Sequence, residues 1–547
     1  MNAITVQTPD DVLILGGGLA GLTLALQLKQ RDADTRIRVI ERRAHPVPEA
    51  AFKIGESTVE IAANYFGDVL GLREHLDQEH IVKFGFRFFF SEGHSAPDRC
   101  AELGASQSLP TGAWQIDRGR FENFLAERAQ SLGIEFVDGA SVKQIDLSED
   151  DSAHRVEWER AGERSTAQAR WVVDASGRAG LIKRKLGLAE DNGHKANAVW
   201  FRLRGMIDPH DWSANADWLS RCTPPERWRS TNHLVGPGYW VWLIPLSSGS
   251  HSVGIVCDAE MHPLETMNSF EKAMDWLAVH QPRVHQAIEP LRGELQDFAF
   301  FRNFSYGCKQ VFSANRWALT GEAGVFLDPF YSPGSDFIAI SNTYISRLIE
   351  KDRAGEAWQP YASVYEQLYF SFYESTMAMY RGQYGLFGDA QLMPLKVLWD
   401  YSYYWGVLAA LFFGRRIDDL STLSRLKPEL AEAKALNFAL QDLFQRWCMA
   451  NARPHAAVDS SAFLDQARLG WFAELNRALR DELDDAAFKA RMRSNLVCLR
   501  RLARELMALA RDTHPTLDAS ALEALLANAP IADTGDTLLT PEWKGAA

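Results

Sequence analysis

The stretch that decides the fold is "DDVLILGGGLAGLTLALQLKQRDADTRIRVIERR", residues 10–43. Val12–Leu15 is a short apolar run that stops at three consecutive glycines. Leu22, Leu24, Leu26 and Leu28 with Ala25 then read as an apolar helix. "RIRVIE", residues 36–41, then returns as a second short strand ending in Glu41. Strand, glycine turn, helix and strand make a βαβ unit. Gly16, Gly18 and Gly21 sit where a tight turn, close approach of backbone to a pyrophosphate and close helix–strand packing each demand a residue without Cβ. The helix N-terminus then offers unpaired N–H groups to the phosphates. Glu41, twenty residues after Gly21, is placed to accept from a ribose hydroxyl. A dinucleotide is the ligand this pattern predicts; FAD and NAD both satisfy it.

Around this unit the chain is long and of ordinary globular composition. It has 547 residues, 46% hydrophobic and 24% charged, enough for two or three structural units. Fifty-eight basic against 71 acidic residues leave a net charge of −13, which disfavours nucleic acid as a partner. Cys100, Cys222, Cys257, Cys308, Cys448 and Cys498 are scattered without a CxxC pair. Neither a disulfide framework nor a metal site is expected, and a cytoplasmic location follows as the expectation. The N-terminus lacks the pattern of a signal peptide. The most lipid-like run, "YYWGVLAALFFG" at 403–414, is too short to span a bilayer and follows Lys396 and Asp400, so a buried helix or a wall of a substrate channel is expected and membrane association is not.

Further along, a helical stretch is expected near 59–75 and a helix from Arg118 to Gly133. Segments at 141–146, 153–159 and 167–173 alternate as an antiparallel meander. "HIVKFGFRFFF", 80–90, reads as one strand, with Phe84, Phe86, Phe88 and Phe90 on one face and Lys83, Gly85 and Arg87 on the other. On spacing alone Lys83 is a solvated lysine. Residues 195–300 are rich in Trp and strand-like. Beyond 350, 3.6-residue periodicity dominates, beginning in one long run at Phe463, and a Pro-containing tail from 514 is expected to fray.

Four further motifs bear on chemistry. "WVVDASGRAG" carries Asp174 and Gly177, and "ALTGEAGVFLDPFYSPGSDFIA" carries Gly321, Glu322 and Gly334. "GYWVWLIPL" contains Trp240, Trp242, Ile244 and Pro245 as W-x-W-x-I-P, by itself a strand with two indoles on one face. "GESTVE" (55–60) includes Glu56 and Ser57. Together with the first motif, in this order, they resemble the FAD-dependent aromatic monooxygenases, and W-x-W-x-I-P, the F-x-x-P-x-x-S-x-G loop (Phe326, Pro329, Ser332, Gly334) and the G-E-S loop narrow that resemblance to the flavin-dependent halogenases.

The resemblance, carried by residues 10–350, implies an α/β fold. It has a glutathione-reductase-type FAD domain over 1–350, with an inserted mixed β-sheet substrate region at about 76–115 and 195–300. A mainly α-helical C-terminal region follows over 351–547. It implies FAD as cofactor, bound by Gly16, Gly18, Ala20, Gly21, Glu41, Arg42, Glu56, Ser57, Arg120, Asp174, Gly177, Gly321, Glu322 and Gly334. It further implies that FAD works as FADH2 with O2, forming a C4a-hydroperoxyflavin that oxidises chloride or bromide, held at Pro329, Ser332, Pro333 and Gly334, to hypohalous acid. Lys83 is the lysine on the strand beyond the G-E-S loop and is implied to direct that oxidant to an aromatic substrate, while Trp240, Trp242, Ile244 and Pro245 keep substrate from the flavin. Nothing in the sequence supplies a nicotinamide site, so a separate flavin reductase is the expected partner. The substrate is a small electron-rich aromatic, free or bound to a carrier protein.

Two positions depart from the pattern. Tyr331 stands where tryptophan halogenases have a Glu, which points away from tryptophan and toward phenols or pyrroles. Pro333 has no N–H to offer a halide, so a non-halogenating monooxygenase on the same scaffold stays open. Arg87, on the same face as Lys83 in an unbroken strand, is expected to lower the amine's proton affinity by repulsion.

Overall fold

In the computed structural model the residues described are 9–50, 53–90, 96–451, 462–527 and 537–545. The chain forms two compact units. The first gathers residues 1–76, 116–193 and 305–371, and the second gathers 77–115, 194–304 and 372–547.

The first unit is built on the βαβ pattern. Asp10–Leu15 is the middle of a parallel set, with Ile37–Ile40 on one side and the end of Glu163–Asp174 on the other (Leu13 opposite Arg38 and Val172). Glu135–Val137 and Trp317–Leu319 extend the parallel part at either end. Val12–Leu15 is buried on both faces, as a continuous apolar strand between layers must be. The other half of the long strand Glu163–Asp174 turns antiparallel against His154–Arg160, which pairs with Ala140–Asp146. The helix Leu19–Arg31 leaves the sheet at the glycines and buries all but its last turn, where Lys29 and Arg31 complement its dipole. Thr23, its β-branched residue, returns its hydroxyl to Leu19 O at 2.6 Å. Asn342, on the helix Gly334–Arg353, donates to Ala20 O and Thr23 Oγ (3.1 Å each), fixing the two helices together. The expected helical stretch after residue 59 is three short pieces: Glu60–Asn64, a π-helical turn Tyr65–Val69, and Arg73–Glu79.

The second unit holds an eight-stranded sheet in the order Leu295–Phe301, Ala196–Arg204, Ser250–Asp258, Tyr239–Leu246, Thr231–Gly236, Phe86–Phe90, Ala101–Gly104, Phe463–Asp465. One face carries a core of Phe89, Phe201, Leu203, Leu234, Val241, Leu243, Val253 and Ile255, against which Trp218 and the helix Phe270–His280 pack. Alternation sends Phe86, Phe88, His233, Trp240 and Trp242 to the opposite face.

Here the structure corrects three readings. The aromatic strand is broken: Ile81–Val82 pairs with Trp114–Gln115, residues 83–85 leave the ladder, and pairing resumes at Phe86. The cause is Gly85, held at φ +75°, a conformation that resets the face alternation. Phe463–Asp465 is an edge strand paired with Ala101–Gly104: Leu464 is buried, Phe463 half-buried, Asp465 accepts from Ser106 N at 3.0 Å, and helix begins at Gly470. The tail is anchored: Ser520–Ala527 and Pro541–Gly545 are helical, Trp471 Nε1 donates to Leu538 O at 2.9 Å, and Leu539 and Trp543 are buried. Residues 528–536 of that tail lie outside the described residues.

The run 403–414 is the buried end of a helix, Leu392–Tyr403, continued by a π-helical turn Tyr404–Ala409 and Ala410–Phe413. The two charges just upstream are not solvated flanks. Lys396 and Asp400, both 1% exposed, pair at 2.6 Å, with Gln441 bridging them. Among the described residues no helix is long and apolar enough to cross a membrane.

Candidate functional site

In the first unit the glycines behave as their positions demand. A Cβ on Gly16 (φ +115°) would lie 2.3 Å from Ala175 O, and one on Gly21 2.0 Å from Gly16 O. Both contacts are with backbone, so neither site admits a side chain. Gly18 is different: the nearest atoms to a Cβ there are Glu122 Oε1 and Lys53 Nζ, each at 3.8 Å. Its surface is open and faces charge. Glu41 closes the second strand, accepting from Gly17 N at 2.6 Å and from Arg43 N at 2.7 Å. Gly321 (φ +60°) comes against Ala20, leaving 3.0 Å for any Cβ. Gly16, Gly18, Ala20, Gly21, Glu41 and Gly321 therefore share one place. A bare turn open to a phosphate, an acidic strand end and the start of an apolar helix fit a dinucleotide.

The other expected contacts are distributed differently. The buried Asp174 carboxylate is spent on its own turn, accepting from Ser176 N and Oγ (3.0 and 2.6 Å) and from Ile182 N (2.7 Å). Burial raises its pKa above the ordinary range despite those bonds. Gly177, at φ +62°, makes the turn possible. Arg42 is exposed, and Arg120 Nε stands 3.9 Å from Glu49. Glu56 and Ser57 are buried, and Glu56 O accepts from Ile116 N. Burial also raises Glu322, against the nearby cations Arg178, Arg118, Lys53 and Lys183.

Sequence reasoning missed the charges around Gly18. Glu122 is buried and pairs with both Lys53 and Arg118, the latter at 2.7 Å. Burial would raise Glu122, but the two cations outweigh it and hold the carboxyl below its ordinary range. The i,i+4 spacing of Arg118 and Glu122 on one helix was a visible signal; the partnership with Lys53, across 69 residues, had none.

The loop 326–334 packs tightly. Asp328 caps a short turn by accepting from Phe330 N at 3.0 Å. Ser332 takes a left-handed conformation, φ +53°, and Pro333 directly precedes the twenty-residue helix that Gly334 opens. Nothing lies within 4 Å of a Cβ built on Gly334. Pro333 O accepts from Phe337 N, so this proline serves the helix start as acceptor only.

In the second unit Lys83 is 6% exposed, far from the solvated lysine that spacing alone suggests. Its Nζ lies 3.4 Å from the centroid of the Phe86 ring. Arg87 is not its neighbour on one face. With Gly85 resetting the alternation, Arg87 projects to the sheet's core face, where it pairs with Glu102; Arg227 Nε joins that carboxylate at 3.0 Å, and all three residues are 0% exposed. The expected repulsion between Arg87 and Lys83 is thus replaced by a buried ion cluster on Glu102, to whose other oxygen Arg221 Nη1 also comes within 3.6 Å. Arg87 and Arg227 overcome burial and hold Glu102 below the ordinary carboxylate range.

Beside Lys83 the sheet presents an aromatic wall. His233, opposite Phe88 in register, packs on Phe86 (5.0 Å), Phe88 (4.7 Å) and Trp240 (5.1 Å). Trp240 Nε1 donates to Tyr384 Oη at 3.1 Å, and Trp242 lies across Gly254, its Nε1 donating to Ser252 Oγ at 3.1 Å. Ile244 and Pro245 complete the buried strand. Tyr401, from the helical region, reaches Phe86 at 6.1 Å. Among the described residues no group of His, Cys, Asp or Glu is arranged to hold a metal ion.

Comparison with known proteins places this geometry. The family model described as FAD binding domain matches residues 10–284. The flavin-dependent halogenase chlA of Dictyostelium discoideum is 27% identical over 438 residues, 74% of this chain and 71% of that protein. A 1H-pyrrole-2-carbonyl peptidyl-carrier-protein chlorinase of Pseudomonas fluorescens is 27% identical over 345 residues, 59% of this chain and 72% of its own. Among solved structures, halogenase PltM in complex with phloroglucinol and FAD matches with a TM-score of 0.63 and 18% identity over 88% of this chain and 99% of that one, a likeness of fold.

Proposed function

The chain belongs to the FAD binding domain family and groups with the flavin-dependent halogenases, which are oxidoreductases, and from that premise we propose that it halogenates an electron-rich phenolic or pyrrolic ring using chloride or bromide, with Lys83 directing the oxidised halogen. The cofactor is FAD, and when bound in reduced form it supplies, with O2, the two-electron oxidising power that turns halide into hypohalous acid. The residues that would hold it are Gly16, Gly18, Gly21 and Glu41, with Lys53 and Arg118 bringing positive charge toward the open side of Gly18.

The observation that carries the proposal is the burial of Lys83 against an aromatic wall. There the amine offers a donor to a small polar oxidant, beside rings (Phe86, Phe88, His233, Trp240) suited to a flat aromatic acceptor. Trp240 and Trp242, each tied by its indole N–H, are rigid enough to exclude a ring from the space they occupy. Chloride or bromide is assigned to the Ser332–Gly334 loop, through Gly334 N and not Pro333. FADH2 would come from a separate reductase, and the carrier-protein relative leaves a tethered as well as a free substrate in play.

Pro333 favours one second reading: without its N–H the halide site weakens, and the same fold would hydroxylate. One assay separates the two. Protein supplied with chemically reduced FAD, O2 and bromide is offered a panel of phenols and pyrroles, free and carrier-loaded, and products are read by mass spectrometry. Brominated products that vanish in Lys83→Met support the proposal; hydroxylated products with bromide present establish the second reading.

A further inference from the structure

Lys83 and Phe86 are three residues apart, and a regular strand would send them to opposite faces. They meet because Gly85 adopts φ +75° and the chain doubles back between two strands. Four hydrogen bonds fix that detour: Lys83 N to Ala113 O (2.9 Å), Phe84 N to Arg229 O (3.1 Å), Thr231 N to Gly85 O (3.1 Å) and Ser230 Oγ to Phe84 O (3.2 Å). The ring beneath the amine is itself wedged, with Phe88 at 6.0 Å, His233 at 5.0 Å and Tyr401 at 6.1 Å. Other charged and titratable groups frame the turn. Arg229 donates to Val82 O at 3.0 Å and pairs with Glu226; His233 and Tyr401 stand across Phe86; Arg87 shares Glu102 with Arg227 and Arg221 on the opposite face.

Burial strips water from an ammonium and favours its neutral form, whereas the negative face of a ring favours the charged form. At 3.4 Å from the centroid the ring acts at short range. We propose that Phe86 is a positioning residue, the seat that keeps Lys83 as an ammonium, so that Lys83 acts as a hydrogen-bond donor to oxidised halogen and not as an amine that carries it covalently. The donor's role rests on the halogenase reading; the seat does not.

The test measures Lys83 itself. Flavin-loaded protein is treated with trace acetic anhydride from pH 7 to 11, and mass spectrometry of the Lys83 peptide gives the pH of half-maximal reactivity. Phe86→Leu, which keeps an apolar side chain and loses the π face, should lower that pH by about one unit, a tenfold loss of proton affinity. Phe86→Tyr should restore it. Should Phe86→Leu fail to fold, Gly85→Ala, which resists the left-handed turn, should show the same shift, and Gly85→Asn, which tolerates it, should not. The alkaline limb of the bromination pH profile should move down by about the same one unit, with the rate at pH 7 little changed. A shift in a protein whose wild type brominates nothing upholds the seat and overturns the halogenase reading. Unchanged Lys83 reactivity in Phe86→Leu overturns the seat, and a bromine found on the Lys83 peptide during turnover without acceptor overturns the donor role.

Discussion

The two glycines at the mouth of the first helix should fail in different ways. In Gly21→Ala the new Cβ would sit 2.0 Å from Gly16 O, where ordinary contact begins at 3.4 Å. Strand and helix must therefore part by about 1.4 Å in a region buried on every side. Overpacking of that kind costs about 1–3 kcal/mol, paid by the protein whether or not flavin is present. In Gly18→Ala the nearest atoms are 3.8 Å away, so the unliganded fold should be indifferent. The methyl group instead occupies the surface where a pyrophosphate approaches the backbone. Differential scanning fluorimetry of flavin-free protein should place Gly18→Ala within about 1 °C of wild type and Gly21→Ala clearly below it, since a ΔΔG of 1 kcal/mol moves the midpoint by roughly 2–4 °C in domains of 150–250 residues. Titration with FAD should show both weakened by at least about tenfold, a loss of about 1.4 kcal/mol in binding. Wild-type flavin affinity in Gly18→Ala would refute the placement of the phosphates.

Three further outcomes follow from ion pairs and indoles. Glu102→Gln leaves Arg87 and Arg227 buried against a neutral amide and should cost the second unit about 3–5 kcal/mol in urea unfolding followed by Trp fluorescence. Glu122 has a folded-state pKa below its ordinary value, so its stabilisation is complete above that ordinary value, ~4.3, and is lost as pH falls through the lower folded-state value. Acid melts should therefore show wild type losing stability below about pH 4 more steeply than Glu122→Gln, in which only the remaining paired carboxylates contribute. Tyr384→Phe removes only the hydroxyl and should cost about 1 kcal/mol, and Trp240→Phe should cost more because it also leaves a cavity; a double-mutant cycle should return a coupling of about 1 kcal/mol, and simple additivity would show that the bond carries no energy.

The FAD-binding half was legible because its demands are local. Gly16, Gly18 and Gly21 lie within six residues, the first and last dictated by close backbone contacts and Gly18 by the surface left open to a phosphate. The meander and the helix after Arg118 were legible for the same reason: period and punctuation survive in the sequence. What escaped was set by distant partners or a single torsion. Gly85 looks like an ordinary small residue in an alternating strand, and only its φ of +75° moves Lys83 onto Phe86 and Arg87 into an ion cluster with Glu102 and Arg227. Phe463–Asp465 reads as helix until its edge of the sheet is known. Lys53 could not be tied to Glu122, nor Lys396 and Asp400 to Gln441, because pairings across tens of residues leave no periodicity.

The central claim is that Lys83 directs halogen to an aromatic ring. Its most direct test is product formation by wild type and Lys83→Met, matched for bound FAD, with reduced FAD, O2, bromide and an electron-rich phenol, read by mass spectrometry. The account predicts brominated phenol from wild type and none from Lys83→Met, at equal O2 consumption. Equal bromination by both proteins would contradict it.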